Sequence, residues 1–313
     1  MEIAVLRAGA FSTVQDGGRR GYRASGVPLA GAADPFALRV ANLLVGNPED
    51  AAGLEIVLDG PDLYFPEACT VAVGGAEFAG VPAWRPWTVP AGTRVLFGQC
   101  LRGYYAYLAV RGGLAVEPVL GSRSTYVRGG WGGWDGRPLH EGDRLPVGLP
   151  EGGARADPAP ALFVAPSILP PYSESPVVRA IAGAQAAELD PLTATAFKIS
   201  PKSDRMGLRL LGSPILRRQG GDLRSSAVSP GSVQVPPDGQ PIVLLAEAQT
   251  LGGYPLAAHV ISVDLPLVAQ LRPGQTLRFQ DIELAEAQRL LVRRERDLAL
   301  LRSGLRSHWG GGP

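Results

Sequence analysis

A chain of 313 residues with 45% hydrophobic and 19% charged residues has the composition of a globular protein, long enough for one large core or two ordinary ones. Its formal net charge of +1 leaves no long-range field to draw in nucleic acid or a membrane surface, and no apolar run approaches the ~20 residues of a membrane span. All but Lys198 and Lys202 of its 30 basic residues are arginine, and Cys69 and Cys100 lie in apolar stretches without metal-type spacing, which predicts buried thiols in a reducing compartment. The opening residues lack a basic segment followed by an apolar run, so a cytoplasmic location is expected.

The first unusual stretch is 13–22, "TVQDGGRRGY", which sets an amide, a carboxylate and two guanidinium groups among glycines. A helix is predicted over 34–46, with Asp34 as N-cap, Pro35 at the first helical position and Gly46 at the end, its apolar face formed by Ala37, Val40, Ala41 and Leu44. Strands are predicted at 70–76, 94–99 and 105–113 from their length and β-branched content. Residues 150–160, rich in Pro, Gly and Ala, mark a boundary. Beyond it come a short helix after Asp190-Pro191, strands at 241–248, 259–265 and 275–284, and a final helix near 283–303. That helix carries Leu284, Leu291, Leu298 and Leu305 in one row, expected to dock on the chain's own core.

The halves echo one another. "QDGGRRGY" has a counterpart in "SDRMGLRL" (203–210), and "EGDRLPVG" (141–148) one in "RPGQTLRF" (272–279). The same order in each half favours two related β-rich domains, and a duplicated scaffold supplies a cleft in which a ligand is expected.

Several chemistries are excluded by their missing motifs. Neither lysine follows the glycines of a phosphate-binding P-loop, so ATP is bound by another route or another chain. No Gly-x-Ser-x-Gly elbow occurs, and His140, His259 and His308 are scattered, so no metal site is expected. Neither lysine lies in a Met-Lys-Met setting, so covalently attached biotin is not expected either. What remains are polar segments flanked by glycine, which lets backbone N–H groups approach a ligand. Arginine adds a fork for carboxylate, and glutamine a donor and an acceptor for an amide. Gln249 and Thr250, at the end of an apolar strand before Gly252-Gly253-Tyr254, are the best candidates for ligand contact. Asp16 with Arg19, and Asp204 with Arg205, fit a loop-pinning role as well as a binding role. Trp131 and Trp134 fit a stacking surface or packing beneath a loop.

On these residues the sequence resembles the allophanate hydrolase subunit 2 family, which includes biotin-dependent carboxyltransferase domains, KipA-like proteins and the C subunits of 5-oxoprolinases. The pattern runs through Val14-Gln15-Asp16, Gly18-Arg19, Gly21-Tyr22, Gly26-Val27-Pro28, Gly31, Asp34, Asn42, Val45-Gly46-Asn47 and Leu54-Glu55. It continues through Gly121-Ser122-Arg123-Ser124-Thr125, Gly136-Arg137, Gly142-Asp143, Ser203-Asp204-Arg205-Met206-Gly207, Gln234-Val235-Pro236 and Gln249-Thr250 with Gly252-Gly253-Tyr254-Pro255. Two departures remove an arginine: Glu247-Ala248 stands where Asp-Arg is expected, and Gly103-Tyr104-Tyr105-Ala106-Tyr107 where Gly-x-Arg-Ala-Tyr is expected.

The resemblance implies a mainly β fold of two tandem cyclophilin-like barrels with a few helices, at 1–150 and 161–313, the second ending in the C-terminal helix. It implies a separate subunit 1 (KipI-like) partner, and a third, lactam-hydrolysing subunit if the system is a 5-oxoprolinase. The first reading is the C subunit of an ATP-dependent 5-oxoprolinase. Arg19 or Arg205 would then hold the substrate carboxylate, Gln249 or Gln234 would meet the ring amide, and Asp16 or Asp204 would orient the arginines. Gln15, Ser124, Thr250 and Tyr254 complete the expected substrate-binding set. ATP would be used by the complex, with no metal and no covalent cofactor on this chain. The second reading is the carboxyltransferase component of a urea carboxylase or allophanate hydrolase system, with biotin on a separate carrier. The third is a non-catalytic KipA-like regulator that binds a kinase inhibitor.

Overall fold

The computed structural model describes residues 1–150, 154, 156, 162–218, 221, 223–306 and 309, so most of the boundary expected at 150–160 lies outside the described residues. Two compact units result: Met1–Arg19 with Ala30–Leu169 and Glu295–Pro313, and Arg20–Leu29 with Pro170–Arg294. Each is discontinuous in sequence, because the loop after Arg19 packs with the second unit and the end of the C-terminal helix with the first. No helix among the described residues is long and apolar enough to cross a membrane.

The strands of the first unit are Glu2–Arg7 (β1), Phe11–Gln15 (β2), Gly53–Val57 (β3), Asp59–Phe65 (β4), Cys69–Phe78 (β5), Pro86–Val89 (β6), Thr93–Val110 (β7) and Arg144–Pro146 (β8), with helix Pro35–Leu44 (α1) between β2 and β3. The sheet runs β2-β3-β7-β4-β1-β8, with β5 on β7 and β6 on β5. The two strands expected at 94–99 and 105–113 are thus one strand of 18 residues. Its first part pairs β4 (Leu63 opposite Val95) and its second part pairs β3 (Glu55 opposite Tyr107) and β5 (Val73 opposite Leu108). Gly98 and Gly103, with φ of 64° and 80°, take the bend between the parts where a side chain would strain the backbone. Cys69 is buried as expected, whereas Cys100, at this bend, is half-buried. Ile3, Leu54, Phe65, Val71, Phe97 and Leu108 belong to the core so enclosed.

Asp34 caps α1 by accepting the Ala37 N–H at 3.0 Å. Val40, Ala41 and Leu44 of α1 pack with Leu298, Leu305 and Trp309. Those leucines belong to the long C-terminal helix, Leu284–Arg306, so the expected docking holds for the second half of its leucine row, while Leu284 and Leu291 are exposed. Two hydrogen bonds of 2.7 Å from Arg39 to Glu295 fasten the same helix to α1.

The strands of the second unit are Val177–Ala182 (β9), Ala196–Ile199 (β10), Gly207–Leu211 (β11), Ser226–Ala227 (β12), Ser232–Gln234 (β13), Ile242–Leu244 (β14), Leu251–Gly252 (β15), Leu256–Val260 (β16) and Thr276–Asp281 (β17), with a short helix at Leu265–Ala269 (α2). Among the described residues β10-β11-β14-β13-β16-β9-β17 close a barrel, and β12 and β15 form a separate two-stranded antiparallel sheet. The parallel pair β17–β9 closes the ring, the other pairings being antiparallel. Val178, Phe197, Leu210, Val233, Val243 and Leu277 are core residues. The strands expected at 241–248 and 259–265 are shorter than their apolar runs, which continue into turns and α2. The helix expected after Asp190-Pro191 is a single 3-10 turn, Leu192–Ala194. The architecture is mainly β with few helices, as the resemblance implies.

The Gly136-Arg137 and Gly142-Asp143 motifs form a clasp near β8. Arg137 donates two hydrogen bonds of 2.8 Å to Asp143, and the His140 N–H adds a third at 2.7 Å. Arg137 first, then that N–H, hold the Asp143 carboxyl at about 2, below its ordinary 3.8. A carboxyl whose folded value lies below its unfolded value stabilises fully above the unfolded value, and that contribution is lost as pH falls through the folded one. The melting-temperature gap between the parent and Asp143→Asn should therefore be largest near pH 7 and shrink steadily from pH 5 toward pH 2. A gap independent of pH would contradict the assignment.

Candidate functional site

The expected residues fall into two clusters, one in each unit. The first lies where β2 ends. Asp16 accepts hydrogen bonds from the Gly18 N–H (2.8 Å), the Ser122 hydroxyl (2.7 Å), the Ser124 hydroxyl and the Arg123 N–H (2.5 Å). Its own N–H donates to Ser124 Oγ at 3.0 Å. One carboxylate thus clasps "QDGG" to "GSRST". A Cβ at Gly31, where φ is +80°, would lie 2.8 Å from the Gly18 nitrogen, so this turn accepts only glycine there.

Arg19 is fully buried. Its Nε donates to the Val119 carbonyl at 3.2 Å, its Nη2 donates to the Ser124 carbonyl, and its guanidinium lies 4.3 Å over the Trp131 ring. Trp131 is therefore a stacking surface, and what it stacks on is Arg19. A Cβ at Gly132 would fall 2.2 Å from Arg19 Nη2, which explains the glycine that follows the tryptophan. Gln15 donates to Thr13 Oγ1 (3.0 Å) and the Thr125 carbonyl (3.2 Å). Its Oε1 is buried with no donor among the described residues. Gln15, Asp16, Arg19 and Ser124 so meet in one buried brace with little surface to offer a ligand.

Beside it, matched positions that carried no expected site role have evident work. Glu55 accepts from the Tyr107 hydroxyl (2.8 Å) and the Ala33 N–H (3.0 Å), and Tyr107 accepts from the Asp34 N–H (2.8 Å), which ties the start of α1 to β3 and β7. Asn47 donates to Asn42 Oδ1 and the Val110 carbonyl and accepts the Gly112 N–H, holding the end of the same helix.

The second cluster lies in the barrel unit. Arg205 and Glu247 are buried and joined by a 2.6 Å hydrogen bond from Nε to Oε1, and the Glu247 N–H donates to the Arg205 carbonyl at 2.9 Å. The glutamate noted as a departure is thus the carboxylate partner of an arginine in the matched "SDRMG". Asp204 is exposed, and its Oδ1 accepts from the N–H groups of Met206 (2.8 Å) and Gly207 (3.2 Å), the local turn that Asp16 makes with Gly18.

Two residues past Glu247, the half-buried Gln249 donates from Nε2 to Gln234 Oε1 at 3.2 Å, and Gln234 Nε2 donates to the Tyr254 carbonyl at 3.4 Å. The Tyr254 residue is 47% exposed, so this end of the cluster opens to solvent. The Thr250 carbonyl accepts the Val228 N–H at 3.1 Å, and the Val228 carbonyl in turn accepts from Arg23. Arg23 lies on the loop Arg20–Leu29 of this unit, a contact between residues 205 apart that sequence spacing gives no signal for. On the barrel wall His259 Nδ1 lies 3.4 Å from Ser232 Oγ, and burial pushes the imidazole below its ordinary 6.5, toward the neutral form at pH 7. Of the residues expected, then, Gln234, Gln249 and Tyr254 come together as a partly open amide pair, with Thr250 next in the chain and Arg205 joined to the same segment through Glu247. This arrangement suits a small polar ligand with amide character.

The sequence is 40% identical over 296 residues to the C subunit of 5-oxoprolinase from Escherichia coli, covering 91% of this chain and 93% of that one. It is 34% identical over 304 residues to the protein of the same name from Haemophilus influenzae, covering 94% and 95%. The fold superposes on the crystal structure of the Kluyveromyces lactis urea carboxylase with a TM-score of 0.88 at 31% identity, covering 97% of this chain and 29% of that much longer one. The family model "Carboxyltransferase domain, subdomain A and B" matches residues 25–281, and the chain belongs to that family.

Proposed function

We propose that this chain is the C subunit of an ATP-dependent 5-oxoprolinase, taking part in the opening of 5-oxoproline to glutamate. The observation that carries the reading is end-to-end similarity to two proteins of that name, at 40% and 34% identity over more than nine-tenths of their length. Opening a lactam requires the ring amide to be held while its carbonyl oxygen is activated and the developing oxyanion stabilised. Gln249 is the group assigned to the ring amide, since it is half-buried and its orientation is fixed by Gln234. Arg205 is assigned to the substrate carboxylate in preference to Arg19, which is fully buried in the brace with Nε and Nη2 on two carbonyls and its face on a tryptophan, whereas Arg205 joins the segment that carries Gln249. Glu247 holds Arg205 to the loop that carries Gln249. ATP is a substrate of the complex, with the partners a subunit 1 (KipI-like) protein and a lactam-hydrolysing subunit.

The superposition on urea carboxylase supports a second reading, carboxyl transfer to urea or a similar amide with biotin delivered on another protein. Reconstitution with the companion subunits separates the two. The first reading expects a stable complex on size-exclusion chromatography whose ATP hydrolysis rises at least tenfold with 5-oxoproline and is indifferent to urea. Stimulation by urea and bicarbonate in the presence of a biotin carrier, with no response to 5-oxoproline, would establish the second.

A further inference from the structure

The two amides of the barrel cluster have a fixed polarity, and its origin is a backbone carbonyl. The Tyr254 C=O can only accept, so the Gln234 side-chain atom 3.4 Å from it has to be the NH2 group. Gln234 is 1% exposed, so no bulk water competes for that atom. Its Oε1 then faces Gln249, and the Gln249 atom 3.2 Å away has to be Nε2. Gln249 consequently points its own Oε1 away from Gln234, and the residue is only half-buried. Reversing either amide would set two acceptors, or two donors, against each other within a largely buried network. Gly252 completes the device. A Cβ there would lie 2.4 Å from Gln234 Nε2, so a larger residue at 252 would push that amide from its place beside β15.

We infer that Gln234 is a positioning residue that fixes Gln249 with its carbonyl oxygen toward the ligand, so that the site selects a ligand offering an N–H, such as a lactam or primary amide, over its N-alkylated counterpart. This rests on the reading of the chain as a 5-oxoprolinase component. A site built to hydrogen-bond a substrate N–H discriminates against the analogue that lacks it, because its own acceptor is then left unpaired.

The test uses the chain assembled with its companion subunits and compares kcat/KM for 5-oxoproline and N-methyl-5-oxoproline, read as ATP hydrolysis, with melting temperatures measured alongside. The parent should prefer 5-oxoproline at least tenfold. In Gln234→Leu the preference should fall to threefold or less, chiefly through a raised KM for 5-oxoproline. Gly252→Ala, which leaves both glutamines in place, should move the ratio the same way. Gln249→Leu, at a half-buried position, should abolish it. A preference that survives Gln249→Leu or Gln234→Leu would mean the methyl group is rejected by size alone, and overturns the inference while leaving the functional reading intact. A lower melting temperature with an unchanged ratio would also overturn it. A parent complex that hydrolyses no ATP in response to 5-oxoproline overturns the functional reading and this inference with it.

Discussion

Asp16→Ala should destabilise the first unit by about 3–5 kcal/mol, since it strands in one buried site the donors that now converge on the carboxylate. For a unit of this size that is a fall in melting temperature of roughly 10 °C. The donors are the hydroxyls of Ser122 and Ser124 and the N–H groups of Gly18 and Arg123, with Asp16 itself 8% exposed. Asp16→Asn keeps one oxygen for the donors now on Oδ1 but turns an NH2 toward the Arg123 N–H, so its loss should be about half as large. In the fraction that stays folded, the KM for 5-oxoproline should be unchanged in both variants, because the carboxylate is occupied by the protein's own donors. Thermal melts and steady-state kinetics on the two variants check both statements. A tenfold rise in KM with an unaltered melting temperature would place Asp16 in the ligand site instead.

Glu247→Ala is the second large effect. Arg205 and Glu247 are 7% and 6% exposed, and removing one member of a buried ion pair typically costs about 3–5 kcal/mol, far more than the pair contributes over an apolar replacement. Glu247→Gln keeps a hydrogen-bond acceptor for Arg205 Nε and should lose about half as much. Unlike the Asp16 variants, these should also impair turnover, because the loop they loosen carries Gln249 two residues on. Denaturant melts combined with 5-oxoproline-dependent ATP hydrolysis, measured where each variant is folded, should show both losses together. Full activity in a destabilised Glu247→Ala would separate the ion pair from the site.

Features encoded by neighbouring residues are legible in the sequence. Helix α1 runs between its Asp34-Pro35 start and Gly46 as the local capping rules require. Gln249, shortly before a glycine pair, stands out because an amide at the end of an apolar run has no packing reason to be there, although the strand itself ends at Leu244. Features that depend on long-range pairing are not legible. Gly103 reads as punctuation between two strands, yet one strand passes through it with a positive φ. Asp16 and Arg19 read equally as a loop pin or a ligand contact, and the partners that decide for the pin come from 119–124, about a hundred residues away. The partner of Arg205 stands 42 residues away, where the sequence shows only a departure from the family pattern. What separates the two clusters, built of the same residue types, is the open edge at Gln249 and Tyr254, and exposure is set by the whole fold rather than by spacing.

The measurement that bears most directly on the function is the conversion of 5-oxoproline to glutamate by the companion subunits with this chain present and omitted, with ADP followed in parallel. Glutamate and ADP should form in step when the chain is present, and at least nine-tenths of both should be lost when it is left out. Equal rates with and without the chain would contradict the proposed role.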